Sequence, residues 1–375
     1  MKELAWFFLR FGLTAFGGPA AHVAMLEQEV VHKRAWMNRE LFLDLMGATN
    51  LIPGPNSTEL VMLIGYHRGG IRGLLVAGAC FIFPAAILSG ILAFFYAQYG
   101  ELPAVEPFLL GIKPAVIAII IAAVYRLGKK AIRKPYYLLI GILVATLALG
   151  GINEVLALLG GGLFGMCLIQ LIDKKGKLWS IAPWPFLFVL PLLQVPARLT
   201  TYHPGNLFLS FLKIGAVLFG SGYVLFAYLE GELVDHLGWI TQQELIDSVA
   251  AGQFTPGPVL TTATFIGFLV DGVPGAMLAT LGIFLPAFVL SAIVHPYIPR
   301  LRGSEWAGAF LDAVNVGALG LMAAVLFSMG LQTMTSGAAF VIAGISATLL
   351  IVYPKLNPAY IVLAGALLGY GLMGY

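Results

Sequence analysis

The chain is 375 residues long, 59% hydrophobic and 10% charged, with a mean hydropathy of +0.92 and a formal net charge of +3. A soluble domain keeps about a quarter of its residues charged. A soluble enzyme and a nucleic-acid binder are therefore excluded, and a polytopic membrane protein is left.

The first element, Trp6–Phe16 behind Lys2, has the look of a signal peptide, but it lacks a small-residue cleavage site. It recurs inside the chain as Leu207–Phe219, so it belongs to the fold. Its cation Arg10, in Leu9-Arg10-x-Gly12, is matched by Lys213 in Leu212-Lys213-x-Gly215. A charge within a membrane faces water or a partner. Arg10 and Lys213 either neutralise an anionic substrate, pair with Glu27 and Glu230, or snorkel to the interface.

A duplicated motif follows. Phe16-Gly17-Gly18-Pro19, Glu27-x-Glu29, Trp36, Asp44 and Pro53-Gly54-Pro55 reappear 203 residues later as Phe219-Gly220-Ser221-Gly222, Glu230-x-Glu232, Trp239, Asp247 and Pro256-Gly257-Pro258. The Pro-Gly-Pro segments cannot lie inside a continuous helix. In a membrane such a break is tolerated where it is buried in protein or lines a cavity. Asn56, Ser57 and Thr58 after the first break, and Thr261 after the second, suit helix starts whose free N–H groups and positive dipole ends favour an oxyanion. Thr255 precedes the second break. A kink held by local hydroxyl bonds is the alternative. Gly17 and Gly18, with Gly220, Ser221 and Gly222, permit close approach to a ligand or merely close helix packing. Glu27, Glu29, Glu230, Glu232, Asp44 and Asp247 are candidates for proton relay or ion pairing, or form a solvated face. His22 has Leu225 at the equivalent position, which argues against a symmetric relay through it.

Further along, Gly65, Gly70, Gly73, Pro84 and Ser89 match Gly267, Gly272, Gly275, Pro286 and Ser291 at an offset of 202. Lys113 opens another apolar run as an interfacial anchor or a ligand contact, with Asn315 near its counterpart. The closing pair Tyr136–Leu149 and Val155–Ile172 recurs as Ala338–Tyr353 and Pro358–Leu372. This predicts an all-α fold of about ten to twelve membrane segments with broken or re-entrant helices. Two homologous repeats, 1–172 and 206–375, are joined by a connector, 173–205.

Charge orients the repeats. Residues 1–172 hold 13 Lys and Arg against 9 Asp and Glu; residues 206–375 hold 4 against 8. The basic loops His32–Arg34, Arg68–Arg72 and Arg126–Lys134 have counterparts without Lys or Arg. Basic loops mark the cytoplasmic side, so the repeats are expected to be inverted, with a cytoplasmic N-terminus and an extra crossing in the connector. Cys80 and Cys167 stand alone as packing residues, and no nucleophile, metal or nucleotide motif is present. No catalysis, cofactor or metal is expected.

The block from Phe16-Gly17-Gly18-Pro19 through Asn50-Leu51-Ile52-Pro53-Gly54-Pro55-Asn56-Ser57 resembles the N-terminal signature of the chromate ion transporters. The block from Phe219-Gly220-Ser221-Gly222-Tyr223 through Gln253-Phe254-Thr255-Pro256-Gly257-Pro258 is similar to that family's C-terminal signature. The resemblance implies a fused two-repeat member that exports chromate across the bacterial inner membrane. It also implies a chemiosmotic drive and motif residues Gly17, Gly18, Pro19, Pro53–Asn56, Gly220, Gly222 and Pro256–Pro258. Sulfate is the close analogue. Uptake or exchange of another divalent anion, and an anion channel, are the alternatives. The bilayer and the oxyanion are the expected partners, with a second copy of the chain as a further candidate.

Overall fold

The computed structural model describes residues 1–16, 18–49, 52–100, 102, 106–173, 203–219, 222, 224–295, 305–353 and 356–373. Of the connector at 173–205, residues 174–202 lie outside the described residues, and the extra crossing expected there lies with them. All regular structure among the described residues is helical. In chain order the helices are α1 (Lys2–Thr14), α2 (Gly18–Leu26), α3 (Arg39–Thr49), α4 (Asn56–Tyr99), α5 (Glu106–Ala131), α6 (Tyr137–Leu149) and α7 (Glu154–Asp173). The same series then repeats as α8 (Pro204–Val217), α9 (Leu225–Leu229), α10 (Gln242–Phe254), α11 (Thr262–Val294), α12 (Glu305–Thr333), α13 (Gly337–Val352) and α14 (Pro358–Met373). Matched π-helical turns, Glu27–Lys33 and Glu230–His236, follow α2 and α9. Starts are set by local chemistry: Thr241 and Glu244 form a capping box at α10, and Ser336 caps α13.

The long helices α4 and α11 are hairpins. At Gly70 and Gly272 the backbone takes φ of 59° and 57°, a region glycine enters without steric cost. Gly65 then lies against the backbone of Gly73, and Gly267 against that of Gly275. In a straight helix residues eight apart are about 12 Å distant, so the two arms must fold back on each other. The hydroxyls of Thr264 and Thr280, on opposite arms of α11, meet at 2.8 Å.

The first arms are short, as are α1 and α3. The 13 residues of α1 span about 20 Å, less than the roughly 30 Å hydrocarbon layer. After α1 the chain turns back along it. His22 Nε2 lies 3.0 Å from the Ala15 carbonyl, Arg34 reaches Glu3 at 3.2 Å, and Trp36 packs edge-on against Phe7.

Glycines bring α1 and the second arm of α4 together: a Cβ on Gly12 would come within 2.7 Å of the Phe81 carbonyl oxygen. Gly215 meets the Ile283 backbone at the equivalent place between α8 and α11. The closing helices are exchanged between repeats. α13 and α14 pack on α5, whereas α6 and α7 pack on α12. Gly111 lies against Gly365 and Gly369, and Gly320 against Gly141. Such small-residue contacts replace the hydrophobic drive that helices lack in lipid. Among the described residues five helices are long and apolar enough to cross a membrane: Asn56–Tyr99, Glu106–Ala131, Glu154–Ile172, Val259–Ile293 and Gly308–Leu331.

Candidate functional site

At the centre the two Pro-Gly-Pro loops cross between repeats. The Gly54 N–H donates to the Leu218 carbonyl at 2.6 Å, and the Gly257 N–H donates to the Ala15 carbonyl at 2.9 Å. Ala15 and Leu218 are themselves equivalent residues, each ending the first helix of its repeat. Each loop thus closes on the break in the other repeat. Gly54 and Gly257 have φ of 140° and 91°, and a Cβ on Gly257 would stand 2.9 Å from Ala85 Cβ. Ala85 and its equivalent Ala287 line both crossings, because a Cβ on Gly54 would lie 3.6 Å from Ala287 Cβ.

Helices leave these loops at once. In the first repeat Thr58 and Glu59 N–H groups bond the Pro55 carbonyl, opening α4. In the second, Thr261 donates to the Pro258 carbonyl through both its N–H and its hydroxyl, tightening a single 3₁₀ turn. Pro53 and Asn56 are partly exposed, whereas Thr255–Thr261 are buried throughout. Ser57 and Thr58 are buried, and Thr58 Oγ1 has no hydrogen-bond partner. Gly222 is buried beside Leu260. Gly17, Gly220 and Ser221 lie outside the described residues, and Gly18 opens α2.

The structure treats the matched charges unequally. Lys213 pairs with Glu232 at 2.5 Å, with side chains only 13% and 8% exposed. Arg10, its counterpart, is exposed and makes no ion pair among the described residues. Glu29, the counterpart of Glu232, is held by Lys33 at 2.6 Å and by Arg34 at 3.6 Å, and these cations hold its carboxyl below the ordinary range. Glu27 and Glu230 keep equivalent partners: Arg39 Nε donates to Glu27 at 2.9 Å, and Gln242 Nε2 donates to Glu230 at 2.7 Å. Asp247 is buried and accepts from the Tyr96 hydroxyl at 2.9 Å, while Asp44 is half-buried. Lys113 lines a cavity of about 450 Å³ with Gln242 and Gln243 of α10 and Thr335 and Ser336 before α13, and it acts electrostatically on Asp247.

One residue escaped the reading of the sequence. Glu59, in the first turn of α4, is completely buried, and neither carboxylate oxygen has a hydrogen-bond partner. Its Oε1 occupies the space a Gly54 side chain would need. The available signal was an ionisable residue inside an apolar run.

Residues 2–166 and 205–370 each match the sequence profile of the chromate transporter family. The chain is 31% identical over 340 residues to a probable chromate transport protein of Synechococcus elongatus, covering 89% of this chain and 86% of that one. It is 31% identical over 377 residues to a chromate transport protein of Pseudomonas aeruginosa (97% and 90%), and 28% identical over 375 residues to one of Cupriavidus metallidurans (98% and 92%). No solved structure gives a significant match. The duplicated motif, the crossed central loops and these relatives lead to one conclusion: the chain is a multi-pass membrane protein belonging to the chromate transporter family.

Proposed function

We propose that the crossed Pro-Gly-Pro loops frame a binding site for a tetrahedral oxyanion, chromate first and sulfate as its analogue, and that the protein exports chromate by alternating access. The reciprocal bonds Gly54–Leu218 and Gly257–Ala15 carry this reading, because they seat each Pro-Gly-Pro loop, and the helix start that follows it, on the end of the other repeat's first helix. Helix N-termini favour anions, and the buried Thr58 hydroxyl and Gln253 amide beside the two breaks lack partners of their own. Arg10, exposed on α1, and its counterpart Lys213 on α8, paired with Glu232, are the matched cations of the two first helices, and in this reading they supply positive charge to the anion.

The repeats, 1–172 and 206–375, are inverted in this reading, with the N-terminus and the basic loops in the cytoplasm of a bacterial inner-membrane protein. Contacts between repeats support it. Tyr66, at the end of the first arm of α4, stacks on His295 at the far end of the second arm of α11, with centroids 4.1 Å apart. Phe94 packs beside Phe268, and Arg133 lies 3.6 Å from Asp312 near the start of α12. Parallel repeats would bring like ends together; these contacts join unlike ends. Each repeat then contributes the second arm of its hairpin helix and the closing helices, together with two half-depth hairpins that meet at the midplane.

Alternating access draws support from asymmetry. α9 and α10 pack on α5, α7, α12 and α14, and their apolar residues join the core that those helices share. The equivalent α1–α3 bury a separate core against α4 alone. The opening helices of the second repeat are thus docked more widely than those of the first. An inside-negative potential drives net negative charge outward with about 2.3 kcal/mol per charge per 100 mV, so about 4.6 kcal/mol for a dianion leaving alone and about 2.3 kcal/mol for one leaving with a proton. The test is chromate flux in oriented vesicles, with and without potential and proton gradient and with sulfate as competitor. Chromate flux that responds to the imposed potential is expected. Absence of chromate flux refutes the substrate, and flux indifferent to both gradients refutes coupled transport.

A further inference from the structure

We propose that Glu59 is the proton-binding site of the transport cycle, and that its proton travels with the oxyanion. The proposal rests on the transport reading above and adds the coupling ion and the group that carries it. Glu59 is 0% exposed, its two oxygens are unpartnered, and it lies beneath the loop that crosses to Leu218.

The surroundings offer no other role. Charged and titratable residues on the elements packed against α4 are Lys2, Glu3 and Arg10 of α1, His22 of α2, and Arg39, Glu40 and Asp44 of α3. On the second repeat they are Glu244 and Asp247 of α10 and Asp271 of α11. None of them bonds or pairs with the Glu59 carboxyl, and among the described residues burial is what bears on it. A structural carboxylate would have a cation or N–H donors beside it. A bare carboxylate anion in this place has neither, and a proton on one oxygen removes the uncompensated charge.

The position also fixes the sense of coupling. Glu59 stands within one turn of the helix start to which the oxyanion binds. An ionised carboxylate there repels a dianion through a low-dielectric interior, so the occupied closed state holds the anion together with a neutral acid. When the crossing at Gly54 opens and water reaches the site, the O–H bond of the acid breaks. The proton passes to water and the carboxylate is left on the chain, to be reprotonated before the next closure. His22 does not fill this role, because its Nε2 faces the Ala15 carbonyl and its ring is enclosed by Phe11 and Phe81.

The test uses the full chain in proteoliposomes, with chromate as the probe at equal concentration on both sides and the potential clamped at zero. A pH step should drive chromate toward the alkaline side in the unaltered protein. Glu59→Gln, which keeps the shape and cannot release a proton, should retain chromate self-exchange within about twofold and lose pH-driven accumulation. Accumulation by Glu59→Gln equal to that of the unaltered protein overturns the proposal. So does unaltered protein that exchanges chromate without responding to the pH step, and in that case the transport reading still stands. Loss of exchange in the unaltered protein itself would strike the transport reading instead. Should Glu59→Gln fail to insert, Glu59→Asp decides: a shifted pH midpoint of accumulation supports the proposal, and an unchanged profile overturns it.

Discussion

Lys213 and Glu232 form the most buried ion pair among the described residues, 2.5 Å apart with 13% and 8% of their side chains exposed. Glu154 lies against Gly231 beside them and is influenced by Glu232, Asp235 and Lys213 together. Lys213→Met would leave Glu232 without its counter-charge in an acidic neighbourhood. Removing one partner of a buried pair costs about 3–5 kcal/mol, while replacing both with apolar groups is often close to neutral. Glu232→Leu should cost somewhat less than Lys213→Met, because the surviving lysine retains Glu154 nearby. The double variant Lys213→Met/Glu232→Leu should then recover most of the loss, giving a coupling energy of about 2–4 kcal/mol. The assay is a double-mutant cycle read by reversible unfolding in mixed micelles, with chromate flux measured on each variant that folds. A double variant as unstable as the sum of the singles would refute the pairing argument. Flux divides the two roles of the lysine. A folded double variant that transports assigns Lys213 to structure, and one that folds without transporting assigns it to the anion.

Gly257→Ala should disrupt the crossing: φ is 91°, the new Cβ would sit 2.9 Å from Ala85 Cβ, and left-handed strain plus overpacking comes to about 2–4 kcal/mol. Flux should fall more than tenfold in protein that still purifies as a single species, and unaltered flux would remove the crossing from the mechanism. Ala35→Gly should stabilise the protein by about 1 kcal/mol, because Ala35 holds φ at 49° while its counterpart Gly238 takes 62° without strain; an unchanged or lowered melting temperature contradicts this. Arg10 and Glu29 occupy the positions of Lys213 and Glu232, so an exchange of conformations between repeats should close the first pair as it opens the second. With Cys80 and Cys167 replaced, cysteine pairs at 213/232 and 10/29 should cross-link in opposite proportions as chromate is added. Simultaneous cross-linking of both pairs refutes the exchange.

The breaks at Pro53–Pro55 and Pro256–Pro258 were legible because an apolar helix can be interrupted only by residues that refuse helical geometry, and those residues stand out. The repeat was legible for a related reason, since glycines and carboxylates inside apolar sequence are too costly to recur at fixed spacing without purpose. The hairpin turns at Gly70 and Gly272 were less visible. Their glycines were matched as sequence, yet a reversal within a run that stays apolar on both sides leaves hydropathy unchanged. The exchange of closing helices between repeats has no local signal at all, because Gly111 could have met a glycine of either repeat. Arg10 and Lys213 read as twins, and what separates them is docking of the second repeat, a tertiary event. Glu59 carries no repeat signal, because the corresponding position offers only threonine.

The features shared by both repeats are geometric: the crossed loops, the helix starts, the hairpin glycines, the π-helical turns and the carboxylates bound to Arg39 and Gln242. Geometry must be duplicated if the two faces of the membrane are to be opened by the same motion. Some ionisable groups are not duplicated. His22, Glu59 and Lys113 all belong to the first repeat, opposite leucine, threonine and asparagine in the second. A second buried acid beside the same anion would double the repulsion that a dianion meets there. It would also require a second proton for every turnover. In the proposed cycle, one proton site set against a two-fold frame lets the anion see equivalent helix starts from both repeats while the coupling chemistry stays on one. The divergent residues, more than the matched ones, are therefore where the energetics of transport by this chain should be sought.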